Sequence, residues 1–159
     1  MTFKVHLHEA LDRAGPFAGG ERTVSIDHGS QHLECHLVAL DSLACAFTRL
    51  ALAAPSLAAM SGEGLKRTAE ALASRLTYLL EPISPIENDA EGCEVQTRSN
   101  PPHKDSDRTS YYELLVSRSG ALSLCRYSRI PGQNREVIPA HVTREVLVRL
   151  AGDFSAVAG

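Results

Sequence analysis

His32, Glu34 and His36 occupy alternate positions of the segment QHLECHLVAL. On an extended strand, alternate side chains share a face, so two imidazoles and a carboxylate would project from one side. That donor set suits zinc, or iron held in the two-histidine, one-carboxylate manner. His6 and His8 repeat the two-residue spacing near the start of the chain. Neighbouring same-face side chains on a strand lie about 6 to 7 Å apart, and His32 to His36 spans twice that, so one ion holds them only if the side chains converge. A metal-dependent enzyme or metal sensor built on these residues is therefore the alternative expectation. With no fourth ligand or supporting partner in view, a solvated strand face with no cofactor is the preferred one.

Other reactive groups are scattered. Cysteines stand at 35, 45, 93 and 125 without a Cys-x-x-Cys pair, so neither a zinc knuckle nor a redox couple is indicated, and they read as small core residues. Cys93, beside Gly92, or Cys35 would serve as a nucleophile only as an exposed, acidified thiolate next to a base. Asp105, Asp107 and Glu113 flank a polar stretch and read as solvated charges. Arg118, Arg126, Arg129 and Arg135 cluster near the C-terminal hairpin and suit a carboxylate or phosphate carried by a partner, with Tyr112 and Tyr127 beside them. Glu113 is expected to neutralise Arg126. No dinucleotide, phosphate-loop, nucleophile-elbow or metalloprotease motif occurs.

The elements that position these residues begin with a hairpin between TSYYELLVSR and ALSLCRYSRI. A two-residue Ser119-Gly120 loop sets Arg118 against Ala121, Val116 against Ser123, Leu114 against Cys125 and Tyr112 against Tyr127. The other side carries Leu115 against Leu124 and Glu113 against Arg126. Both faces of this ribbon are then substantially apolar. A three-residue loop with a glycine bulge would slip that register.

Upstream, Phe3, Leu7, Ala10, Leu11 and Ala14 fall at helical spacing, with Thr2 as cap and Gly15-Pro16 as stop; a short strand over Phe3 to Leu7 competes. GPFAGG reads as a flexible connector. Thr23 to Asp27 and Gln31 to Leu40 form a second hairpin across His28-Gly29, with Val24, Ile26, Leu33, Cys35, Leu37 and Ala39 on one face. Asp41 or Ser42 would cap a helix running to Ala54. A better helix carries Leu65, Ala69, Leu72, Leu76 and Leu79 on its core stripe and closes at Pro82. Ile83 to Ile86 is an edge strand, joined through NDAEG to a strand from Cys93 to Arg98. SNPPHKDSDRTS is a mobile loop, Val137 lies in a short strand, and Thr143 caps a last helix in which Val142 and Leu147 form a staple.

Non-alternating runs of helices and strands predict an α+β fold with a largely antiparallel sheet, and 159 residues predict one domain that buries about 70% of its unfolded surface. A net charge of −3 argues against nucleic acid as partner. The N-terminal residues lack a leader's apolar run and the most apolar stretch is broken by Asp41, Arg49 and Pro55, so no membrane partner and a cytoplasmic location are expected.

The order helix (Phe3 to Ala14), strands (Val24 to Ile26, Leu33 to Leu37), central helix (Leu65 to Leu79), hairpin (Leu114 to Val116, Leu122 to Leu124) and final helix (Val146 to Val157) resembles type III secretion chaperones. The chain departs from them by the insertion Ile83 to Arg108 and by the extra helix near Phe47. The resemblance implies a small acidic dimer that binds extended protein segments. A non-enzymatic interaction or assembly module, chaperone- or adaptor-like, with a protein partner and a homodimeric state, is the leading expectation. An apolar second sheet face left uncovered would be its interface.

Overall fold

The computed structural model describes residues 2–79, 81, 83–88, 94–99 and 102–159. In chain order its elements are α1 (Phe3–Ala14), β1 (Phe17–His28), β2 (Gln31–Leu40), β3 (Ala44–Ala53), the single turn α2 (Pro55–Ala58) and α3 (Gly62–Arg75). A 3-10 turn (Thr77–Leu79) leads to β4 (Ile83–Asn88), β5 (Glu94–Ser99), β6 (His103–Asp105), β7 (Arg108–Ser117), β8 (Ala121–Arg129), β9 (Glu136–Ile138), β10 (Ala140–Thr143) and α4 (Arg144–Ala158). The fold is α+β, with an antiparallel sheet as the sequence predicts. The expected Pro82 stop, the NDAEG joint beyond Asn88 and Cys93 lie outside the described residues.

Each long helix starts where a hydroxyl takes up a free backbone N–H. Thr2 accepts from Val5, Ser61 from Gly64 and Thr143 from Val146, at 3.1 to 3.2 Å. Phe3, Leu7, Ala10 and Leu11 of α1 are buried, as are Leu65, Ala69 and Leu72 of α3. The α3 helix ends at Arg75, short of the expected Leu79, and Leu76 and Leu79 are buried from its cap and the 3-10 turn. Val142 stands half-buried before α4 and Leu147 is buried within it, as the staple requires. Among the described residues no helix is long and apolar enough to cross a membrane.

Sheet order is β1-β2-β3-β8-β7-β5-β4, with β4 at an edge as Pro85 demands. Strands β3 and β8 pair only through Leu50–Ala53 and Ala121–Leu124. Beyond that they part, and the returning chain fills the gap with β10 on β3 and β9 on β8. Ile26 pairs with Leu33 and Val24 with Cys35, so the expected apolar face of the first hairpin is present, although its loop is Gly29-Ser30. Ala39 leaves that face because the β2–β3 register shifts on either side of Leu37.

Four expected elements differ. The helix from Asp41 to Ala54 is strand β3: Cys45, Phe47, Leu50 and Leu52 are buried and neighbours pair on both sides, which outweighs the helix propensity of an alanine- and leucine-rich run. Asp41 accepts from the N–H groups of Leu43 and Ala44 at 2.8 Å and holds a turn rather than a helix start. Of the GPFAGG connector, Phe17 to Gly20 are instead the first part of β1, where a register shift between Ala18 and Arg22 absorbs two glycines. The polar loop from Ser99 to Ser110 contains β6, which folds back on β7 with Asp105 opposite Arg108.

The fourth difference has the widest effect. Ser117 pairs with Ala121, so the second hairpin turns through Arg118, Ser119 and Gly120. The Gly120 N–H donates to the Ser117 carbonyl at 3.0 Å, and Gly120 takes φ +101, a conformation that glycine adopts without strain. This one-residue slip exchanges faces along β8. Val116 now faces Leu122, Leu114 faces Leu124, Glu113 faces Cys125, Tyr112 faces Arg126 and Tyr111 faces Tyr127. Apolar residues gather on the side where α1, α3 and α4 join the core, with Val24, Ile26, Leu33, Leu37, Phe47, Leu114, Val116, Leu122 and Leu124 all buried. The ribbon therefore has one apolar face, not two.

Candidate functional site: the open face of the sheet

The face turned away from the helices carries the chemistry, and its composition changes from one side to the other. On β1 and β2, imidazoles and carboxylates alternate along a line. His32 Nδ1 lies 2.7 Å from Asp27 Oδ1, and His32 Nε2 lies 3.3 Å from Glu34 Oε1. His36 Nδ1 lies 3.2 Å from Glu21 Oε1. His36 Nε2 stands 3.5 Å from Glu34 Oε2, within ion-pair distance but without hydrogen-bond geometry. The Asp27 hydrogen bond, seconded by Glu34, raises the pKa of His32, and the His32 hydrogen bond, with the His36 imidazole beside it, lowers that of Glu34.

This arrangement is a relay of ion pairs along the strand rather than a convergent donor set. Among the described residues no group of three or more His, Cys, Asp or Glu side chains is disposed to hold a metal ion. His6 and His8 lie on α1, as the helical spacing predicts, and do not join the line. His6 meets His28 with Nδ1 to Nδ1 at 3.3 Å, on the helix side of the sheet, and His8 is exposed.

Across the sheet, on β5, β7 and β8, the same face is basic and aromatic. Glu113 is buried and accepts from Arg135 at 2.5 Å, Gln96 at 2.7 Å and Arg98 at 3.2 Å. Burial alone would raise its pKa, but the Arg135 and Gln96 hydrogen bonds outweigh that and hold the carboxyl below its usual range. The Arg135 guanidinium lies 3.8 Å from the Tyr127 ring centre and that of Arg98 5.2 Å from Tyr111, favourable cation–π placements. Tyr111 and Tyr127 themselves sit 6.0 Å apart. Beside them a groove of about 590 Å³ is lined by Arg98, Thr109, Tyr111, Arg129 and Pro131. No carboxylate of the described residues pairs with Arg129, and Lys104, opposite Thr109, shares this side. A larger hollow of about 720 Å³ among Phe17, Ala18, Ala39, Ala46 and Val142 is mostly apolar and holds no charged cluster, so the groove is the better site.

The expected partner-binding residues divide accordingly. Arg129 and Tyr127 lie on the open face, and Arg118 is exposed in the hairpin loop. Arg126 and Tyr112 point to the helix side, where Arg126 pairs with Glu81 at 2.8 Å and lies 4.5 Å from the Tyr112 ring centre. The expected pairs Glu113–Arg126 and Tyr112–Tyr127 are thus replaced by Glu113–Arg135 and Tyr111–Tyr127, a direct result of the slipped register. Arg98, Gln96, Tyr111, Glu21 and Asp27 were not singled out from the sequence. A signal for Tyr111 existed: only the three-residue loop puts Leu114, Val116, Leu122 and Leu124 on one face, which leaves Tyr111 and Glu113 on the other.

Cysteines give no activated thiol among the described residues. Burial pushes Cys35 strongly upward and Cys45 up to about 11, and it also raises Cys125. Asp105 and Asp107 are exposed at the β6–β7 turn. No family model, curated protein or solved structure matches this chain.

Proposed function

We propose that the protein is a non-enzymatic interaction module, chaperone- or adaptor-like, that engages a protein partner through the open face of its sheet. The observation that carries this is the one-sided helix layer: the core is sealed on one side, while the other presents exposed or half-exposed arginines and the half-exposed Tyr127 beside a groove backed by Tyr111. Arginine and tyrosine concentrate at protein interfaces because each combines a broad apolar body with directional polar atoms. The reactive groups support binding over catalysis, since the carboxylates and imidazoles are engaged with one another and the described thiols are held protonated. The likeness in element order to type III secretion chaperones supports it also. A photo-crosslinking residue at Ser123, in the middle of the open face, should form protein adducts in cells. The same residue at Lys66, exposed on α3, should not. Adducts from Lys66 alone, or from neither, would overturn the proposal.

A further inference from the structure

The open face is bipolar. Glu21, Asp27 and Glu34 lie at the β1–β2 end, while Arg98, Arg129, Arg135 and Lys104 gather at the other, where Glu113 is held by Arg98 and Arg135 and Glu94 stands further along β5 opposite Ser117. Between the ends the side chains are mostly small: Ala51 and Ala53 on β3, Ala121, Ser123 and Cys125 on β8, with Leu115 on β7. Arg49 stands in the His36 row. Small residues leave a flat surface, and flat sheet faces pack about 10 Å apart.

From this we infer that the partner of the open face is a second copy of this chain, packed face to face so that the acidic end of each copy lies on the basic end of the other. This rests on the open face being an interaction surface, and it names the occupant. A two-fold axis lying between the two sheets, perpendicular to the line joining the ends, makes both charge contacts at once and makes them identical. An axis along that line would set like charge on like, so the charges select one orientation. Six strands spaced about 4.8 Å apart and about 20 Å long present on the order of 600 Å² in projection, comparable with the roughly 800 Å² of accessible surface per partner that a specific interface buries. Arg129, with which no carboxylate of the described residues pairs, gains one in the dimer, and the exposed Asp27, already bonded to His32, gains a cationic side chain as a second partner.

Two charge-swapped variants test this. One carries Asp27→Lys and Glu34→Lys, the other Lys104→Glu and Arg129→Glu, all at exposed or half-exposed positions where folding is expected to persist. Sedimentation should give the native chain twice its 17.2 kDa mass at low salt, with dissociation at least about tenfold weaker in salt-poor than in salt-rich buffer, because shortening the screening length weakens the end-to-end pairs. Each variant alone should be monomeric, since both contacts become repulsive. Mixed in equal amounts they should form a heterodimer, since both contacts are restored. A native chain that is monomeric, folded variants that still dimerise alone, or a mixture that stays monomeric would each overturn the inference. The native salt series decides the matter should a variant not fold. Adducts from Ser123 to a different protein, with the native chain monomeric, would sink the self-association and leave the open face as a binding surface.

Discussion

Replacing Glu113 with glutamine tests the basic end of the sheet at its centre. Glu113 is only 7% exposed and gathers hydrogen bonds from Arg135, Arg98 and Gln96. Glutamine keeps the shape but removes the charge and one acceptor oxygen. Both arginines reach solvent over about a third of their side chains, so neither is stranded as a fully buried cation would be. A charged hydrogen bond is worth about 1.5 to 3 kcal/mol, and that is the expected loss. For a chain of this size it lowers the melting temperature by about 4 to 10 °C. The pH dependence follows from the lowered pKa. Stability from ionised Glu113 is fully present above the unfolded carboxyl value of about 4.3 and is lost as pH falls through the lower folded value. Thermal melts followed by circular dichroism at neutral pH and in acid should show the native–variant gap shrinking in acid. Equal melting temperatures at neutral pH, or a gap that persists unchanged in strong acid, would refute the network as drawn.

Gly120→Ala should cost about 1 to 2 kcal/mol, read as a lower urea midpoint, because alanine at φ +101 is strained and its Cβ would stand 3.4 Å from the Ala54 carbonyl oxygen and from Ala58 Cβ. An unchanged midpoint would mean that the loop is not the three-residue turn. In an NMR titration His32 should have its midpoint above the ordinary value of about 6.5, and Asp27→Asn should bring it down. The stability difference between the native chain and Asp27→Asn should then be full below about pH 6.5 and vanish as pH rises through the folded value, whereas a gap that persists at high pH would contradict the Asp27–His32 bond. A variant that keeps Cys35 as its only thiol should react with a disulfide reagent more than about a hundredfold slower folded than in denaturant, as for a group freed only by opening that costs about 3 kcal/mol. Comparable rates would place Cys35 at the surface.

The long helices were legible because their signals are local: a hydroxyl cap, a stripe at three- and four-residue steps, and a breaker. Thr2, Leu65 to Leu72 and Thr143 each carry theirs within one segment, although α3 ends at Arg75, before the expected Leu79. Strand β3 was not legible, since ACAFTRLALA is rich in helix formers and its strand state is imposed by neighbours on both sides, distant in sequence. The second hairpin was visible as a hairpin, but its register depended on whether the loop holds two residues or three. That single step decided which face Glu113, Arg126, Tyr111 and Tyr112 occupy, and with it most of the candidate site. His32, Glu34 and His36 do share a face, as alternation requires, but their carboxylate partners Asp27 and Glu21 come from β1 and depend on the pairing register.

Carbene footprinting compares the surface directly in cells and in dilute purified protein. Leu115, Tyr127 and Val137, on the open face, should be labelled less in cells than in dilute solution, while Lys66 and Arg67 on the outer side of α3 should label equally in both. Equal labelling of the open face under both conditions, or protection confined to α3, would contradict an interaction surface on the open sheet.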